Sequence, residues 1–162
     1  MKTMPHVRFT PWVGDSYGDE SAFGTPVMVL GESHYTEKDR EPSSLTSDVM
    51  RLVIKGAKWN FYTRVLQTFV SKHPVDPRSF WHSVAFYNFI QIPIKKGSRP
   101  MKQMWLDAEQ PFCEVLEWLD PRPRLIAVFG FRCWDKYALL RKGNQIDRSR
   151  EAGGRMLRVW PC

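Results

Sequence analysis

A chain of 162 residues with 43% hydrophobic and 25% charged residues has the size and balance of one globular domain around one core. No run of about eighteen apolar residues occurs, which excludes a membrane-spanning helix of the usual kind, and Met1–Thr10 lacks the apolar centre of a secretion signal. The formal net charge of +7 admits a polyanionic partner, and three widely spaced cysteines (Cys113, Cys133, Cys162) suit a reducing cytoplasm better than a disulfide framework or a zinc cluster.

Residues 1–24 mix Pro, Gly and aromatics and read as an irregular arm packed on a single domain spanning 1–162. Pro26–Gly31 is a short apolar run ending in glycine, the mark of a fully buried strand. The polar stretch 36–44 reads as a loop. Ser44 or Thr46 then caps a helix carrying Val49, Met50, Val53 and Ile54. A second helical stripe is Val65, Leu66, Phe69 and Val70. Val84–Ile92 is aromatic and β-branched and reads as a second buried strand. Apolar residues from Met104 to Leu119 recur at helical spacing and stop at Asp120–Pro121, because a proline disfavours helix in the residue before it. Leu125–Gly130 is a third apolar strand, 134–142 a short helix, and 156–160 a fourth strand.

Strands that are apolar throughout and alternate with helices predict an α/β fold: a three-layer α/β/α sandwich around a central four-stranded, mostly parallel sheet. In such sheets the site lies beyond the carboxyl ends of the strands. That rule selects Gly31–Tyr35, Asn88–Gln91, Gly130–Trp134 and the end of the fourth strand.

Gly31-Glu32-Ser33-His34-Tyr35 follows the first strand and supplies a carboxylate, a hydroxyl and an imidazole together, the groups of an acid–base cluster. A tight turn whose polar side chains satisfy their own backbone is the plainer alternative. The same five residues match four-fifths of the nucleophile elbow G-x-S-x-G, but a long polar loop follows where the elbow needs a helix, and no histidine stands late in the chain. Asn88 offers a donor and an acceptor side by side, suited to the edge of a nucleobase or equally to buried backbone. His6, His73 and His82 lack metal-ligand spacing, so no metal is expected. Lys95, Lys96, Arg99 and Lys102 form one basic group, and Arg132 begins a second that extends to Arg158; either group serves a phosphate backbone or is an ordinary solvated face.

An apolar strand ending in G-E-S-H-Y resembles the first motif of the uracil-DNA glycosylase superfamily, which reads G-Q-D-P-Y in one branch and G-E-x-P-G in another. F-Y-N-F-I-Q, Pro93 and the basic loop to Pro100 are similar to the family's Asn-bearing strand, and L-I-A-V-F-G-F-R-C-W resembles its later strand and helix start. The resemblance covers residues 26–135, and the N-terminal P-W-V-G is similar to bacterial and phage members. It implies hydrolysis of the N-glycosidic bond of an altered base extruded from DNA, with no cofactor, by a cytoplasmic monomer engaged in base excision or in phage defence. On that alignment Glu32, Ser33 and His34 are the catalytic candidates. Gly31, Tyr35, Asn88 and Trp160 hold the base, with Trp59 or Phe61 as an aromatic to stack on it, and Lys95, Lys96, Arg99 and Arg132 meet the DNA. The sequence departs from the family where Ser33 replaces an Asp, His34 a Pro, and Trp160-Pro161-Cys162 stands for H-P-S. His34 then becomes the candidate donor to the leaving base. A non-catalytic DNA- or protein-binding module of the same fold and a small esterase using Ser33 are the rival readings.

Overall fold

A computed structural model describes residues 3–37, 41–69, 76–130 and 132–133, and the backbone of 147–148 and 158–161. The fold is mixed α/β. In chain order its elements are β1 (Trp12–Val13), β2 (Val27–Tyr35), α1 (Leu45–Ile54), α2 (Asn60–Phe69), α3 (Pro77–His82), β3 (Val84–Ile94), α4 (Lys102–Asp107), α5 (Glu109–Trp118), β4 (Leu125–Val128), β5 (Asp147–Arg148) and β6 (Arg158–Pro161). They build one open sheet in the order β1-β3-β2-β4-β6-β5.

All four expected strands occur, joined by the two-residue β1 and β5. The three central strands β3, β2 and β4 run parallel, whereas β1 against β3, β6 against β4 and β5 against β6 are antiparallel. The mostly parallel sheet is thus confined to its centre. An all-apolar run reports burial on both faces and carries no sign of direction.

Alternation along the strands divides the core in two. Met28, Leu30, Ala85 and Tyr87 join Trp105, Phe112 and Val115 of α4 and α5. Val27, Val29, Val84 and Phe86 join Met50, Val65 and Phe80 of α1, α2 and α3. Helices therefore cover both faces of the sheet. No helix among the described residues is long and apolar enough to cross a membrane.

Two helices depart from the expectation. The stripe from Met104 to Leu119 is broken at Ala108, because Pro111 lies in the next turn and its ring and missing N–H cannot be accommodated in a continuous helix. The helix α3 was signalled by Asp76-Pro77-Arg78-Ser79: Asp76 Oδ2 accepts the Ser79 N–H at 3.0 Å and proline occupies the first turn. The proposed helix at 134–142 lies outside the described residues.

The N-terminal arm is pinned rather than loose. Phe9 is fully buried, and its N–H donates to Gln91 Oε1 at 2.8 Å. Farther along, the Gly14 N–H donates to the Val84 carbonyl at 3.1 Å and the Ser16 N–H to the His82 carbonyl at 2.9 Å.

Candidate functional site

The segment Gly31–Tyr35 is not a loop. β2 continues through it, because β3 is equally long and pairs with it: Gly31 opposite Asn88, Ser33 opposite Ile90 and Tyr35 opposite Ile94, with an irregularity after Ser33. The polar residues Glu32, Ser33 and His34 disguised a strand whose pairing is settled by its partner. The candidate residues accordingly stand at the carboxyl end of a sheet, each turned to its own side.

Gly31 and Asn88 make the centre of the site. A Cβ on Gly31 would lie 2.2 Å from Asn88 Oδ1 and 3.2 Å from Phe61 Cζ. The Asn88 amide therefore lies over the glycine, and the half-buried ring of Phe61 closes over the same point from α2. Asn88 is only 4% exposed. Two positions along β2, the Ser33 hydroxyl is buried and without a hydrogen-bond partner, which is rare for a buried polar group. Gln91, by contrast, is spent on structure: its Nε2 donates to the Asn88 carbonyl at 2.7 Å while its Oε1 holds the arm.

Ionisable groups stand along the same end of β2. The Tyr35 hydroxyl donates to Glu32 Oε1 at 2.6 Å. Burial and then the bond to Glu32 push the Tyr35 phenol up, and neighbouring Ser33 and Arg132 oppose the shift. The Cys133 Sγ lies 3.6 Å from the Gly31 carbonyl, to which it donates. Burial, and secondarily the charge of Glu32, hold Cys133 as a neutral thiol. It packs beneath the site and is no nucleophile.

His34 points elsewhere. Its Nε2 meets Thr46 Oγ1 of α1 at 3.0 Å, and its ring lies edge-on to Phe9, 5.5 Å between centroids. Burial lowers its pKa to about 4, against a smaller opposing pull from Glu41. It is neutral near pH 7 and joins β2, α1 and the arm. No serine–histidine hydrogen bond forms at Ser33, the pairing that a serine nucleophile requires. Because the folded pKa lies below the unfolded 6.5, the unfolded chain binds the proton first. Stability is then complete above pH 6.5 and declines as pH falls towards 4. Urea unfolding is expected to show about 2 kcal/mol lost at this residue between pH 7.5 and 5. His34→Gln should flatten the curve by that amount; equal acid sensitivity in the two proteins would remove His34 as its source.

Lys95, Lys96 and Arg99 are exposed just past the end of β3, and Arg132 just past β4. The Thr36 N–H donates to the Ile94 carbonyl at 3.0 Å, which ties the start of the basic loop to the end of β2. All four cations therefore share the sheet end that holds the cradle, and none forms an ion pair among the described residues. From Pro77 to Leu106 the chain contains no Asp or Glu. Trp160 is not brought to this end. Its backbone is in register with Ile126, itself opposite Met28, three residues or about 10 Å before Gly31.

Between the two aromatics that the sequence offered, the structure places Phe61 at the cradle and leaves Trp59 exposed ahead of α2. The helical phase held the answer: Phe61 shares a stripe with buried Val65, four residues on, and Trp59 does not. Cys133 was the other contact missed, although it lies within Gly130–Trp134, the segment that the strand-end rule selected. Comparison with protein-family models, with curated proteins and with solved structures returned no match.

Proposed function

We propose that this chain is a DNA glycosylase-like protein that hydrolyses the N-glycosidic bond of an altered base in DNA. The observation that carries the reading is the Asn88 amide, recessed over Gly31 beside Phe61. A planar ligand edge with one donor and one acceptor would satisfy it, and an aromatic ring beside it suits a flat heterocycle. Sequence resemblance to the uracil-DNA glycosylase superfamily assigns the same Asn to the base. On this reading the helices on both faces and the parallel centre of the sheet form the family's three-layer sandwich, in a cytoplasmic monomer.

Each group then has a task. The bond between the sugar C1′ and the base nitrogen breaks, and the electron pair leaves with the base. Water supplies hydroxide to C1′ and a proton to the base. Glu32, oriented by Tyr35, steadies the sugar cation and aligns the water. The Asn88 Nδ2–H is the donor available to the base as its charge grows. His34, tied to Thr46, holds the strand in place. The exposed cations of the basic loop and Arg132 take the phosphates.

Ser33 in the family's acidic position and Trp160 at the other end of the strand favour a second reading, a base-binding module without hydrolysis. An abasic-site assay separates the two on single strands and duplexes that carry uracil, hypoxanthine or hypermodified bases. Base release that falls at least about a hundredfold in Glu32→Gln supports the enzyme. Retention of altered-base DNA with no abasic product, lost in Asn88→Ala, supports the module. Release untouched by Glu32→Gln refutes the assignment of that carboxylate.

A further inference from the structure

The cradle has a second feature that base recognition alone does not use. Trp59 stands one residue before α2, the helix that brings Phe61 to Gly31, and is 42% exposed. One residue separates it from Phe61, so their backbones lie within about 8 Å. Its indole touches Tyr62 at one edge, with centroids 6.0 Å apart and planes at 54°, which leaves a face open. Lys58 beside it is exposed and forms no ion pair among the described residues. Tyr35, at the end of β2, is the other large aromatic exposed on an element that carries the cradle, at 45%.

Asn88 is too recessed to be reached by a base that remains stacked and paired. The ligand's base must be unstacked first, and its neighbours then lose a stacking partner. An exposed indole with a lysine next to it replaces what is lost: the ring takes a neighbouring base and the ammonium its phosphate. In a duplex that loss comes together with broken base pairs, whereas in a single strand the base is already accessible.

We infer that Trp59 and Tyr35 are stacking platforms for the nucleotides that flank the base in the cradle, and that the ligand is therefore a single strand of nucleic acid. Lys58, Lys96 and their neighbours track its backbone. The inference rests on the base-cradle reading above, not on hydrolysis.

Fluorescence anisotropy tests it, with a fluorescein-labelled single strand of about 15 nucleotides and the same sequence as duplex. The wild-type protein is expected to bind the single strand more tightly. Trp59→Ala should weaken single-strand binding about tenfold and leave duplex binding unchanged, a loss within the range of one base–aromatic stack. Trp59→Phe should retain most of the affinity, and Trp59→Leu, equally apolar but without a ring, should not. Lys96→Ala should reduce the slope of log affinity against log salt by about 0.7, and Trp59→Ala should leave it unchanged. Unaltered single-strand affinity in both Trp59→Ala and Trp59→Leu overturns the inference. So does a wild-type preference for duplex, or no binding to either. Base release measured on the same samples keeps the questions apart: binding without release removes the hydrolase and leaves the platforms, while release indifferent to Trp59 does the reverse.

Discussion

Gly31→Ala is expected to weaken recognition sharply while leaving the fold nearly intact. The added methyl would sit 2.2 Å from Asn88 Oδ1, closer than any real contact, and 3.2 Å from Phe61 Cζ. Both obstacles are the far ends of side chains. The amide can rotate away and the ring can tilt, so the backbone pairing of Gly31 with Asn88 survives. The cost to stability should be about 1–2 kcal/mol, typical of mild overpacking. The cost to function is larger, because the methyl turns the amide out of the position in which it would meet a base. Retention or processing of an altered-base oligonucleotide should fall by about ten- to a hundredfold, the worth of a well-placed pair of hydrogen bonds. A double variant sharpens the test. Asn88→Ala in the Gly31→Ala background removes the clash and should recover stability without recovering binding. Gly31→Ala with full binding would mean that the cradle is not where the ligand sits.

The sequence and the structure agree where burial decides. Four strands were legible because Pro26–Gly31, Val84–Ile92, Leu125–Gly130 and 156–160 are predominantly apolar. Direction was not legible, since an apolar run carries no sign of it, and β6 runs antiparallel to β4. The extension of β2 was hidden for the opposite reason. Glu32, Ser33 and His34 look like a loop in isolation, and only the facing residues of β3 reveal a strand. That difference redraws the site. Three residues that the sequence grouped as one acid–base cluster are distributed by the strand: Glu32 bonded to Tyr35, Ser33 buried without a hydrogen-bond partner, His34 to Thr46 and Phe9. Composition could place polar groups at a strand end but could not say which way each faces. Phe61 was recoverable from helical phase, and the close approach of Asn88 to Gly31 was not, because it depends on register between strands more than fifty residues apart in sequence.

A second glycine makes the contrast with Gly31 and shows how the arm supports the site. Gly14→Ala is expected to destabilise the protein by about 3 kcal/mol or more, beyond the ordinary cost of overpacking. Its Cβ would meet the carbonyl oxygen of His82 at 2.2 Å, the carbonyl carbon at 2.3 Å and Cα at 2.6 Å. These are backbone atoms at the junction of α3 and β3, and no rotamer relieves them. The arm must lift, which breaks the Gly14-to-Val84 and Ser16-to-His82 hydrogen bonds, each worth about 1 kcal/mol, and loosens β1 from β3. The arm also carries Phe9, which is held by Gln91 and packed on His34. Lifting it exposes the imidazole, so its depressed pKa should rise towards that of a solvated histidine. Urea unfolding measures the first effect, and NMR titration of the His34 ring measures the second. A Gly14→Ala protein within about 1 kcal/mol of wild type, its His34 still titrating near 4, would show that the arm is not anchored through this contact.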